Sequence, residues 1–187
     1  MKIQVNQLLK QGGIITEVMT TEELVDCSNQ RVCNSLWGVS VKGIIHLGYD
    51  PLIVKQQELI QAGFEHKVII ADVHTLLETP KIDQFDDKLN YTHSYFKDLC
   101  GLQEAKFVIG SSFQHSEEYN TKLSELLAVT NIKSVEKILA TGSKCTLGNY
   151  IYPAMQALDI PFTNTNVVFG GSNQRGIYMY AREVCAN

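Results

Sequence analysis

His46, Gly48 and Tyr49, in His-Leu-Gly-Tyr at 46–49, are the residues whose types and spacing best suit phosphate chemistry. They follow an apolar run, Leu36 to Val41, and precede apolar positions at helical spacing (Leu52, Ile53, Leu59, Ile60). A strand–turn–helix of this kind presents unpaired N–H groups and the positive end of a helix dipole to an anion. Gly48 lacks a Cβ, so a base or ribose could approach the backbone. His46 could donate to a phosphate as charge develops in a transition state. A second constellation is Tyr152, Gln156 and Asp159, whose spacings of four and three put them on one helix face. Alone, that face reads more simply as a mixed surface with Tyr152 on the core. Asp72 and His74 close another apolar run. No Ser/His/Asp or Cys/His nucleophile arrangement is evident.

The elements that must position these groups follow from periodicity and punctuation. Strands are expected at 36–41, 68–72, 106–110 and 167–170. Pro51 suits the first turn of a helix that Gly63 ends. Further helices are expected at 83–100, from Ser116 to about Ala128, from Ser134, from Tyr152 to about Leu158, and near 173–185. Thr20-Thr21-Glu22-Glu23 is a capping-box pattern for a short helix. The alternation is that of an α/β fold, a doubly wound parallel sheet with a helical insertion. The expected division is an N-terminal helical segment, 1–35, and a Rossmann-like domain, 36–187, with its insertion at about 111–150. Such sheets bind ligands beyond the carboxyl ends of their strands, where the candidate residues should meet.

Length and composition bound the function. The 187 residues suffice for one sizeable domain, and 44% hydrophobic residues supply a core. A net charge of −4 without a basic run lacks the footprint of tight nucleic-acid binding. Five scattered cysteines argue against a disulfide framework and a zinc site, and fit a reducing, cytoplasmic setting. No leader-like h-region or run of about 18 apolar residues is seen.

Five blocks together resemble the archaeal and eukaryotic type of tyrosyl-tRNA synthetase, a class I enzyme. They are H-L-G-Y at 46–49, A-D-V-H at 71–74, G-S-S-F-Q at 110–114, Y-P-A-M-Q-A-L-D at 152–159 and F-G-G-S-N-Q-R at 169–175. The resemblance implies that tyrosine and ATP, with Mg2+, form tyrosyl-adenylate for transfer to tRNA. It implies His46 and Tyr49 as catalytic residues, and Gly38, His46, Gly48, Gly170 and Gly171 about the ATP. Leu36, His74, Gln114, Tyr152, Gln156, Asp159 and Gln174 would surround tyrosine. Tyr152, Gln156 and Gln174 would take its ammonium and backbone, and Asp159 its phenol hydroxyl. Such chemistry works by alignment and charge stabilisation. A homodimer through 111–150 is implied, resting here on the stripe Leu123, Leu126, Leu127 and Val129.

Departures from the pattern are also visible. Leu36 stands where the family has a tyrosine sharing the phenol hydroxyl with the aspartate, so Asp159 would need another partner. Ser40 and Asn166 stand where Glu and Asp are usual. The family continues beyond the equivalent of Asn187 with a fifth strand, a KMSKS loop and an anticodon-binding domain, so tRNA binding by these residues alone should be weak. Two readings follow: a synthetase catalytic domain completed by another part, or a non-catalytic paralogue that binds an amino acid, a nucleotide or a protein.

Overall fold

Alternation along one strand organises the molecule. The computed structural model describes residues 15, 17–19, 22, 24, 32–139 and 145–185. In β1 (Asn34–Ser40), Trp37 and Val39 enter a core with Val68, Ile70 and Phe96, while Leu36, Gly38 and Ser40 take the other face. β2 (Glu65–Ala71) is apolar on both faces, as Val68, Ile69 and Ile70 are all buried. With β3 (Lys106–Ile109) and β4 (Val167–Val168) they form one parallel sheet in the order β3-β2-β1-β4. Register pairs Gly38 with Ile69 and Leu36 with Val168. Chain order reverses between β1 and β4, so the connections after them diverge and leave a crevice there.

Helices α1 (Asp50–Gln61), α2 (Asp72–Glu78), α3 (Phe85–Ser94), α4 (Ser111–Gln114), α5 (Glu117–Val129), α6 (Ile132–Leu139), α7 (Leu147–Phe162) and α8 (Arg175–Cys185) complete the fold. Gly63, at φ 93°, ends α1 as its position predicts, with Phe64 N–H donating to Leu59 O at 3.1 Å. A second core joins α5, α7 and α8 through Tyr119, Leu126, Met155, Leu158 and Tyr180. This doubly wound sheet with helical insertion is the architecture expected from the sequence.

Several boundaries differ from expectation. Asn34 and Ser35 belong to β1, not to the preceding segment, because their backbone pairs with Glu65 and His66. Val41 lies beyond β1, and Asp72 opens α2, which is too short for periodicity to signal. The 83–100 helix begins at Phe85, and after Ser94 its last turn widens, with Cys100 N–H donating to Tyr95 O. That wide turn carries buried Phe96 against Trp37, with centroids 5.1 Å apart. α7 is longer than 152–158, since Thr146 and Asn149 form a capping box before it. The 20–23 capping-box pattern falls largely outside the described residues. Cys33 is disulfide-bonded, contrary to the expectation of thiols, while Cys100, Cys145 and Cys185 are free. Sequence spacing does not report the spatial proximity a disulfide needs.

Candidate functional site

The crevice between β1 and β4 holds a cavity of about 280 Å³. Leu36, Gly38, Tyr49, His74, Tyr152, Gln156, Asp159, Gly170, Gly171 and Gln174 all line it, so most of the residues singled out in the sequence converge. Gly38 is exposed in mid-strand, and a Cβ there would meet no atom within 4 Å. It opens the floor of the cavity.

Asp159 is the chemical centre. It is 4% exposed, and burial raises its carboxyl above the usual range, against the pull of His74, Gln114 and Tyr119. The amide of Gln114 donates to both carboxylate oxygens, at 2.9 and 3.0 Å. The hydroxyl of Tyr119 is 2.7 Å from Oδ1 and 3.0 Å from Met155 O. Its single proton is drawn to the nearer, charged acceptor. The same burial and the Asp159 charge push the Tyr119 phenol well above its ordinary pKa, so it remains a donor. The partner that Leu36 cannot supply is therefore provided from α5.

Tyr119 escaped the sequence reading. The available signal was Ser116, whose Oγ accepts from Tyr119 N–H at 3.2 Å and so places this tyrosine in the first turn of α5. Gln114 itself does not line the cavity but braces Asp159 from behind. Gly110 leaves it room, because a Cβ there would lie 2.7 Å from Gln114 Oε1 and 2.8 Å from Asp72 Oδ1. Asp72 has a scaffolding task, since its Oδ1 accepts from Ser111 N–H at 2.9 Å and fixes the start of α4.

His74 is buried, and burial lowers its pKa despite Asp159, Asp72 and Glu78 nearby. Its ring meets Tyr152 edge to face at 4.7 Å. Also lining the cavity, Gln156 Nε2 donates to Gln174 Oε1 at 3.1 Å, leaving Gln156 Oε1 buried and, among the described residues, unpartnered. Tyr178 also lines the wall, buried enough that its phenol is pushed up to about 12. A Cβ on Gly170 would fall 2.1 Å from the Tyr178 hydroxyl, so this glycine makes room for a tyrosine of its own chain.

His46 and Gly48 do not line the cavity; both are exposed, in the turn that ends at Tyr49. His46 caps the short helical turn Leu47–Tyr49, its Nδ1 accepting from Gly48 N–H at 3.1 Å. Its ring fills the space beside Gly48, where a Cβ would come within 2.8 Å. Tyr49 connects this turn to the cavity, packing on Trp37 and Phe96 with His46 on its other side at 5.2 Å.

The chain matches the family described as tRNA synthetases class I (W and Y) over residues 28–187. It is 33% identical to the tyrosine–tRNA ligase of Methanobrevibacter smithii over 183 residues, covering 95% of this chain and 56% of that protein. It is 31% identical to a probable cytoplasmic tyrosine–tRNA ligase of Encephalitozoon cuniculi over 180 residues, 90% of this chain and 53% of the relative. The structure superposes on tyrosyl-tRNA synthetase of Archaeoglobus fulgidus, complexed with L-tyrosine, with a TM-score of 0.89 and 30% identity. That match covers 96% of this chain and 58% of the other. The chain thus spans about half the length of the curated relatives it matches.

Proposed function

Because the chain belongs to the class I tRNA synthetase family (W and Y), we propose that its cavity binds tyrosine and presents the carboxylate to ATP for adenylate formation. The observation that carries this reading is that one cavity is lined both by Asp159, a buried carboxylate, and by Gln156, whose buried Oε1 has no partner among the described residues. A phenol hydroxyl suits the first group and an ammonium the second. The name of the superposed synthetase, a complex with L-tyrosine, supports the assignment.

Under this proposal, Tyr152, Gln156 and Gln174 hold the ammonium end and Leu36 lines the ring. Gly38, Gly48, Gly170 and Gly171 border the nucleotide. His46, which is exposed, donates to the ATP phosphates, and Tyr49 steadies its ring. ATP arrives with Mg2+ as its counterion. No nucleophile is required, since alignment of carboxylate and α-phosphate together with charge stabilisation drives the transfer. The tyrosine–tRNA ligase relatives favour this reading over the purely non-catalytic one. Tyrosine-dependent exchange of pyrophosphate into ATP, lost in Asp159→Ala, tests the assignment. Exchange that is indifferent to tyrosine would overturn it.

Transfer RNA is the proposed second substrate, bound weakly by this acidic chain because phosphate contacts supply most such affinity. We place the protein in the cytoplasm, a setting named for one relative; among the described residues no helix is long and apolar enough to cross a membrane. A homodimer through the 111–150 insertion also forms part of the proposal, though three of the four residues of the stripe Leu123, Leu126, Leu127 and Val129 are taken up within the chain. Leu126 is buried, and Leu123 and Leu127 pack on the chain's own second core. The apolar side chains left exposed there are Val129, Ile132 and Leu147, at 78%, 61% and 82%.

A further inference from the structure

The groups around Asp159 determine what His74 can do. Gln114 Nε2 faces both carboxylate oxygens of Asp159, which fixes the amide's orientation: its oxygen there would meet negative charge. That same nitrogen lies 3.4 Å from His74 Nδ1. Nδ1 must then accept, so the imidazole proton resides on Nε2. Nε2 is buried and has no hydrogen-bond partner. It stands 3.7 Å from Asp159 Oδ2, too far for a hydrogen bond and near enough for one hydroxyl to reach both. Oδ1 is already engaged by Tyr119 and Gln114, whereas Oδ2 accepts only from Gln114.

We infer that His74 is the second reader of the substrate's phenol hydroxyl, donating from Nε2–H while that hydroxyl donates to Asp159 Oδ2. This rests on the proposed binding of tyrosine and specifies how its hydroxyl is read. Leu36 offers no polar atom, so the donor comes from α2 and not from β1. The pairing is reciprocal: a buried donor without an acceptor and a carboxylate oxygen with spare capacity are both satisfied by one O–H. An analogue lacking the hydroxyl leaves Nε2–H unpaired, which costs affinity.

The test is calorimetric titration of tyrosine and phenylalanine into the full chain, its His74→Leu variant and its His74→Gln variant. His74→Leu should lower tyrosine affinity roughly fivefold or more and leave phenylalanine affinity within about twofold. His74→Gln, which retains an N–H at similar reach, should recover part of the difference. Phenylalanine binding reports that each variant is folded. Nitrogen-15 NMR of the unmodified protein gives a measurement free of any variant: the His74 Nε2 resonance should move with tyrosine and stay with phenylalanine. If tyrosine binds but the ratio and the resonance respond alike to both amino acids, the role of His74 is refuted while tyrosine binding stands. If the unmodified chain binds neither amino acid, the proposed function fails first and this inference with it.

Discussion

Replacing Tyr119 by phenylalanine removes one oxygen and tests how the buried carboxylate is sustained. The hydroxyl lies 2.7 Å from Asp159 Oδ1, and Tyr119 is fully buried, so no water can take its place without a cavity forming. A hydrogen bond to a charged group contributes about 1.5–3 kcal/mol. Gln114 still donates to both oxygens, so Asp159 is not orphaned, and the loss should fall near about 2 kcal/mol. With an m-value of about 2 kcal/mol/M, the urea midpoint at pH 7 should drop by about 1 M. The dependence on charge can be isolated by repeating the substitution in an Asp159→Asn background, where the hydroxyl meets a neutral amide. The penalty should shrink there by about 1 kcal/mol, a coupling of the size expected for groups in contact. A midpoint within about 0.2 M of the unmodified protein would refute the claim that α5 sustains the carboxylate. Equal penalties in the two backgrounds would show that Tyr119 matters through packing alone.

Leu36→Tyr should restore a hydroxyl beside the phenol end of the cavity and widen the tyrosine-to-phenylalanine binding ratio by about 1 kcal/mol, or about fivefold; an unchanged ratio in calorimetry would remove Leu36 from that end. Gly170→Ala places a Cβ 2.1 Å from the Tyr178 hydroxyl and should cost about 1–3 kcal/mol in denaturant unfolding, part of it recovered by adding Tyr178→Phe. His66 supplies a pH test: Ser35 Oγ donates to its Nδ1 at 2.8 Å, its Nε2–H donates to Gln56 Oε1 at 3.0 Å, and burial lowers its pKa to about 4. The unfolded chain takes up that proton near pH 6.5, so this contribution is complete above pH 6.5 and is lost as pH falls toward 4, amounting to about 2 kcal/mol by pH 5. The raised carboxyl of Asp159 acts in the opposite sense, so the comparison needed is with His66→Gln. That variant should show a smaller drop in urea midpoint between pH 7 and pH 5, and parallel curves would exclude His66 as the source.

The parallel sheet was legible because its strands are apolar runs and its helices carry capping and glycine signals at their ends. Val68 to Ile70 read as a strand covered on both faces, and Gly63 as the cap that ends a helix. What remained hidden is short or borrowed. α2 spans two turns, too few for a hydrophobic stripe, and begins at a residue that apolarity had assigned to β2. The face formed by Tyr152, Gln156 and Asp159 was readable from spacing, since helix geometry converts four-and-three into proximity. Its partners were not, because Gln114 and Tyr119 come from 45 and 40 residues away and meet Asp159 only after α5 packs on α7.

The same long-range packing changes the meaning of Leu36. Considered along the chain, leucine at that position leaves a carboxylate beside apolar surface and argues for a site in decay. In the folded protein the carboxylate accepts from Tyr119 and Gln114, and Leu123, Leu126 and Leu127 pack in the core that joins α5 to α7. A decaying site would have no need of these contacts, because replacing Asp159 by an apolar residue would spare the desolvation they offset. Retaining a buried charge, its two donors and an adjacent unpaired imidazole N–H together is costly unless a ligand completes the set. Under the proposed assignment, the second partner of the substrate hydroxyl comes from α2 in place of β1.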